Sequence, residues 1–287
     1  MPRGVPKNGV RKSRKTRVVA APKIPAVLVP VETDAQIEDK LNVRFGVLGR
    51  MTEGCTTGDI RSMIVSGPAG LGKSFVIEKT LNAWDPTESD WTIVKGYVRP
   101  TGLFKLLYQY RNKGQILAFD DADAVFADET SLNLLKAACD SSVRRRISYA
   151  SEAKLFDEDT AMNLPRSFDF EGTVIFITNY DFDAMIDRGH KLTPHFQALV
   201  SRSLYIDLAM KTRRDYLVRI RQVCRDGMLD NIGLGKAERD EVLAFIENNV
   251  DRMRELSLRM ALKVGAVRKL GSNWQEIATV TCLRTAA

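Results

Sequence analysis

The sequence predicts an α/β fold: a five-stranded parallel sheet carrying a phosphate-binding loop, followed by a smaller all-helical part. Three observations predict it. The stretch Ile64-Val-Ser-Gly-Pro-Ala-Gly-Leu-Gly-Lys-Ser74 reads G-x-x-x-x-G-K-S, between a short apolar run and a helical pattern. A second apolar run, Ile116-Leu-Ala-Phe119, ends in Asp120 and Asp121 about 45 residues downstream. From Thr212 onward the apolar period is helical to the end of the chain.

Composition bounds the function. Of 287 residues, 44% are hydrophobic and 28% charged, which is ordinary for a globular protein. No apolar run is long enough for a membrane span, and the basic N-terminus lacks the apolar segment of a signal peptide. Cys55, Cys139, Cys224 and Cys282 have neither metal nor disulfide spacing, so reduced thiols in a cytoplasm are expected (the host's, if the chain is viral). His190 and His195 are too few for a metal site. Residues 1–31 hold eight basic residues and no acidic one; against a whole-chain charge of +7, that leaves −1 for residues 32–287. Such a tail buries no core and is expected to be disordered. Its cations, Arg11, Lys12, Arg14, Lys15 and Arg17 among them, suit a nucleic-acid backbone, although a merely solubilising tail reads the same way.

In order, Asp34 reads as the N-cap of a helix over 34–51, with Ile37, Leu41 and Phe45 on one face. Residues 54–58 read as a turn and 61–65 as the first strand. The loop proper is Gly67, Pro68, Ala69, Gly70, Leu71, Gly72, Lys73 and Ser74, with Phe75 opening the helix. Its glycines let backbone N–H groups turn toward phosphate oxygens, and the helix adds its positive end. Lys73 would reach the β- and γ-phosphates and Ser74 would ligate Mg²⁺, so ATP and Mg²⁺ are the expected ligands. Residues 91–98 form a second strand, and Thr101 caps a helix carrying Leu103, Leu106, Leu107 and Tyr110. Residues 115–121 describe a buried parallel strand that delivers acids to its carboxyl edge, where open α/β sheets bind ligands. Asp120 would hold Mg²⁺ and Asp121 would polarise the attacking water; Asp123 and Asp128 follow closely and blur that register. A helix over 132–139, an insertion beginning at Val143-Arg-Arg-Arg-Ile147, a strand over 173–178 ending at Asn179, and a last strand over 204–208 complete the sheet half. Helices over 212–226, 237–249, 251–270 and 273–283 follow, so the expected domains are 32–210 and 211–287.

Together these features resemble the AAA+ ATPases of the P-loop NTPase superfamily, including members encoded by bacteriophages. The matching stretches are Gly67-x4-Gly72-Lys73-Ser74 (Walker A), Ile116-Leu-Ala-Phe-Asp120-Asp121 (Walker B), Val174-Ile-Phe-Ile-Thr-Asn179 (sensor 1), Ala198-Leu-Val-Ser-Arg202 (arginine finger) and Leu256-Ser-Leu-Arg259 (sensor 2). The resemblance covers about residues 35–285 and implies an αβα sandwich with a helical lid. It implies that Asn179 positions water, that Arg202 reaches a neighbouring subunit's γ-phosphate, and that Arg259 brings the lid onto ATP. An arginine acting in trans implies a homo-oligomer, most often a hexamer. Asp121 departs from the family's usual Glu by one methylene, which keeps open a slow-hydrolysing, ATP-switched scaffold.

The substrate is less legible. Arg144, Arg145 and Arg146 lie where several family members carry a hairpin ahead of sensor 1, and would suit a DNA backbone. Lys95-Gly-Tyr97-Val98 matches a pore loop that protein-threading members use. The expectation is an ATPase remodelling DNA or nucleoprotein complexes; the alternative is a protein-remodelling, chaperone-like ATPase with a protein partner. No membrane role is expected.

Overall fold

A computed structural model describes residues 32–150, 155–157, 162–189 and 191–285. The basic tail, with Arg11, Lys12, Arg14, Lys15 and Arg17, lies outside the described residues, as does His190.

Residues from Thr33 onward form one compact unit. It begins with α1 (Asp34–Thr56), β1 (Ser62–Ser66), α2 (Lys73–Trp84), β2 (Trp91–Lys95), α3 (Pro100–Gln109), β3 (Ile116–Asp120) and α4 (Glu129–Ala138). Short strands β4 (Arg146–Ser148), β5 (Phe156–Asp157), β6 (Met162–Asn163) and β7 (Ser167–Asp169) make up the insertion. Then come β8 (Thr173–Thr178), α5 (Phe182–Asp187), α6 (Thr193–Arg202) and β9 (Leu204–Asp207). The helical part is α7 (Arg213–Arg225), α8 (Lys236–Asn248), α9 (Leu258–Arg268) and α10 (Trp274–Cys282).

The five long strands form one parallel sheet in the order β2-β3-β8-β1-β9. Because side chains alternate along a strand, the continuous apolar runs feed two different cores. Leu117 and Phe119 of β3, Val174 and Phe176 of β8 and Ile64 of β1 face one core, under α3, α4 and α6. Ile116, Ala118, Ile175, Ile177, Met63 and Val65 face the other, under α1 and α2. Each of the larger side chains so buried contributes roughly 1.5–3 kcal/mol of transfer free energy. The result is the αβα sandwich. After residue 210, α7 to α10 enclose a third core around Cys224, Val242, Val264 and Trp274. All four cysteines are buried and free, and burial pushes the Cys55 and Cys224 thiols up to about 12. None of the described helices is long and apolar enough to cross a membrane.

Several boundaries differ from expectation, each for a local reason. Thr33, not Asp34, caps α1: its side chain accepts from the Gln36 N–H, and the Gln36 side chain accepts from the Thr33 N–H. α1 runs on through Gly54 to Thr56, since Thr52 and Cys55 still face the core. α3 starts at Pro100, whose fixed φ suits a first helical position, so Thr101 is not the cap. Residues 251–257 are not helical; Ser257 caps α9 by accepting from the Met260 N–H.

The insertion is an antiparallel pairing of β4 with β7, continued by β5 with β6. It corrects one expectation. Arg145 is buried, donates to the Ala138 and Gly172 carbonyls and packs over the Phe170 ring, so it holds the insertion on the sheet and cannot face a phosphate backbone. Arg144 is exposed but forked onto Asp169, and exposed Arg146 donates to Ser167.

Candidate active site at the carboxyl edge of the sheet

The strand order determines what meets at the carboxyl edge. β8 lies between β1 and β3, so Asn179, the residue after β8, sits between the loop that follows β1 and the acids that end β3. Within the loop, Gly67, Gly70 and Gly72 all have positive φ. Gly70 has a second constraint, because a Cβ there would lie 2.7 Å from the Ser257 Cβ.

Lys73 opens α2 and is buried. Its ammonium donates to the Gly67 carbonyl, to the Pro68 carbonyl at 3.0 Å and to Asn179 Oδ1 at 3.0 Å. Burial lowers its pKa to about 8, although the charges of Asp121 and Asp120 pull the other way. Asn179 then donates from Nδ2 to Asp121 Oδ1 at 2.8 Å. Asp121 Oδ2 lies 4.0 Å from Arg259 Nη2. Lys73, Asn179, Asp121 and Arg259 thus form one alternating chain of donors and acceptors.

A second chain runs beside it. Ser74 Oγ donates to Asp120 Oδ1 at 2.9 Å, and Asp120 Oδ2 lies 3.6 Å from Lys95 Nζ. Lys95 pairs in register with Asp120 across β2 and β3. Asp121 leaves the strand with φ 51, a left-handed conformation that Asp tolerates better than most residues. The other two acids have partners of their own. Asp123 accepts from Thr178 Oγ1 at 2.6 Å, with its carboxyl pushed up by burial, while Asp128 caps α4 through the Ser131 N–H.

The helical part closes directly on this edge. The Leu258 N–H donates to the Gly70 carbonyl at 2.8 Å, which places Arg259 at the mouth of the loop. A cavity of about 1150 Å³ lies between them. Residues Ala69 to Phe75, Asp120, Asp121, Asn179 and Arg259 all line it; Gly67 and Pro68 support it through Lys73. Arg202 does not line it. It ends α6 with Nε 3.4 Å from Asp140 Oδ2 and Nη1 bonded to the Ala198 carbonyl. Sequence reasoning missed two cations: Lys95 against Asp120, and Arg219 of α7 in the cavity wall. Lys95 reads only with the pore-loop stretch and Arg219 stands in no motif; both contacts depend on which strands and helices become neighbours.

No protein-family model matches the chain. A 36.7 kDa protein of Enterobacteria phage T4, from the nrdC-mobD intergenic region, is 39% identical over 251 residues, 86% of this chain and 76% of that protein. The chain belongs to the family of that phage protein. The sheet order, the loop after β1, the acids after β3 and the helical cap are the α/β architecture that the sequence predicts. Solved structures with a similar outline include the Thermotoga maritima RuvB Holliday junction branch migration motor (14% identity, TM-score 0.44, 88% of this chain and 66% of RuvB). Others are domain III of the Thermotoga maritima replication initiation protein DnaA (12%, 0.48, 88% and 97%) and Brucella abortus NtrX with ADP (15%, 0.43, 80% and 54%). The chain thus spans just under two thirds of RuvB and about half of NtrX, and these distant likenesses carry no argument about activity.

The lowered Lys73 pKa has a measurable consequence. Between about 8 and the ordinary 10.5, the unfolded chain binds the Lys73 proton and the folded chain does not, so this group makes stability rise with pH across that window. Denaturant unfolding of wild type and Lys73→Met across the window should show a difference that grows in favour of wild type; a constant difference contradicts the shift.

Proposed function

We propose that the protein is an ATP hydrolase that works as a homo-oligomer, with a hexameric ring the expected form, to remodel DNA or nucleoprotein complexes. The observation that carries the catalytic part is the convergence of Lys73, Ser74, Asp120, Asp121 and Asn179 on one edge, linked by direct hydrogen bonds. Residues 32–210 are then the nucleotide-binding body and 211–287 the lid.

The donor set fits a nucleotide with Mg²⁺. Among the described residues no group of three or more His, Cys, Asp or Glu makes a protein-only cage. A hydroxyl and one carboxylate, Ser74 with Asp120, are what a Mg²⁺ shared with phosphates and water requires. Bound there, Mg²⁺ would neutralise charge on the phosphates being separated. Lys73, now bonded to carbonyls of its own loop, would exchange them for phosphate oxygens, and the anion would restore its charge. Asp121, aimed by Asn179, would orient the attacking water. Arg259 would read the phosphates from the lid, and Arg202, away from its own cavity, would serve a neighbouring subunit.

The DNA part rests on the basic tail and on exposed Arg144 and Arg146; Arg145 takes no part. Tyr97, 75% exposed just beyond β2, supports a second reading with a protein substrate. The family's phage relative makes the host cytoplasm the proposed compartment.

Arg202→Ala should keep ATP binding and lose turnover about 10³-fold or more. Mixed with Lys73→Ala subunits it should regain part of that rate, because each supplies what the other lacks; mixed oligomers that stay inactive would show the arginine to be misassigned. The ATPase rate should also rise with single- or double-stranded DNA and lose that stimulation as salt increases. A rate indifferent to DNA would move the substrate to protein, with Tyr97→Ala the next variant.

A further inference from the structure

We propose that Arg219 is a second nucleotide-binding arginine, reaching the α- and β-phosphates from α7 across Gly72. The proposal rests on the nucleotide-binding reading above and goes beyond it, since no sequence motif contains Arg219.

Arg219 is only 8% exposed and lines the cavity. Its guanidinium carbon stacks 3.6 Å from the centroid of the Phe45 ring on α1. Nη1 donates to Gln222 Oε1 at 2.9 Å, and Gln222 in turn donates to Asn42 of α1. Nε is buried with no partner. Among the described residues no carboxylate comes within ion-pair distance of it. Burying a cation without a directly paired anion is costly, and a ring plus one neutral amide compensate only in part. Burial accordingly pulls the Arg219 pKa down to about 10, against the opposing charge of Asp226, which lines the same cavity without pairing with it.

The missing counter-charge has a defined place. Nη2 lies 3.8 Å from where a Cβ on Gly72 would stand, and Gly72 caps the N-terminus of α2, a 12-residue helix whose first N–H groups and dipole favour an anion. Arg259 stands instead beside Gly70 and Asp121, at the acid end of the loop. The two lid arginines therefore divide the phosphate chain. Arg259 belongs to the terminal phosphate near Asp121; Arg219 belongs to the phosphates over the helix start, which ADP and ATP share. Phe45, and Gln222 anchored on Asn42, hold Arg219 in a fixed pose, so little side-chain entropy is lost on binding.

The test is equilibrium binding of fluorescent ATP, ADP and adenosine analogues to the full chain. Arg219→Met keeps an unbranched stem and removes the guanidinium, both its charge and its stacking on Phe45. It should weaken ATP and ADP alike, about tenfold or more, and leave adenosine unchanged. Arg259→Met should weaken ATP more than ADP. If Arg219→Met lowers Tm yet binds ADP within twofold of wild type, the residue only packs and the proposal is overturned. If Arg219→Met does not fold, Arg219→Lys decides by the same comparison, with about threefold weaker ADP binding expected and an unchanged Kd overturning it. Lys73→Ala is the separate control: undiminished ATP binding there would refute the nucleotide reading itself, whatever Arg219 does.

Discussion

The hydrogen bonds that Lys73 and Asp121 each make to the two ends of the Asn179 amide are the contact on which the rest of the site depends. One amide accepts from a buried ammonium and donates to a carboxylate. It bridges across the sheet, because β8 lies between β1, whose following loop leads to the lysine, and β3, which ends at the acids. The sheet order is thus a functional constraint as well as a packing one. Were β8 at the edge, the loop and the acids would still exist, but the Asn179 amide would no longer join Lys73 to Asp121.

The same edge explains how the helical cap is held. The Leu258–Gly70 bond joins backbone to backbone, and Gly70 leaves no room for a side chain between Ser257 and the loop. On the far side, α1 and α7 are laced by charge: Arg214 and Arg221 share Asp34, and Arg225 reaches Glu38. Asp34 is held below the usual carboxylate range, first by its bond from Arg214. These pairs are part-exposed, so each is worth little alone. Their effect is to set the angle of α7 on α1, the helix that also carries Phe45. Cap and body therefore meet at the loop by backbone and at α1 by side chains.

Much of this was legible in the sequence because it is local. The loop pattern, the acids after a four-residue apolar run and the strand ending in Asn179 each sit within a dozen residues, and all arrive where the spacing put them. The arginine run was legible as charge but not as structure. Arg145 is spent on carbonyls because β4 pairs with β7, a long-range event that composition does not encode. Lys95 illustrates the same limit. It reads as part of an exposed loop with Tyr97, and only the register of β2 on β3 brings it to Asp120. Arg219 is the furthest from legibility, since its meaning depends on α1, α7 and the loop converging.

The measurement closest to the central claim is the stoichiometry and metal dependence of ATP binding to the intact chain. Titration calorimetry with ATP, with and without Mg²⁺, on wild type and Asp120→Asn, tests whether the loop and the acid edge are one site. The account predicts one ATP per chain, bound more tightly with Mg²⁺, with that metal effect lost in Asp120→Asn. No ATP binding in the presence of Mg²⁺, or binding whose metal dependence ignores Asp120, would contradict it.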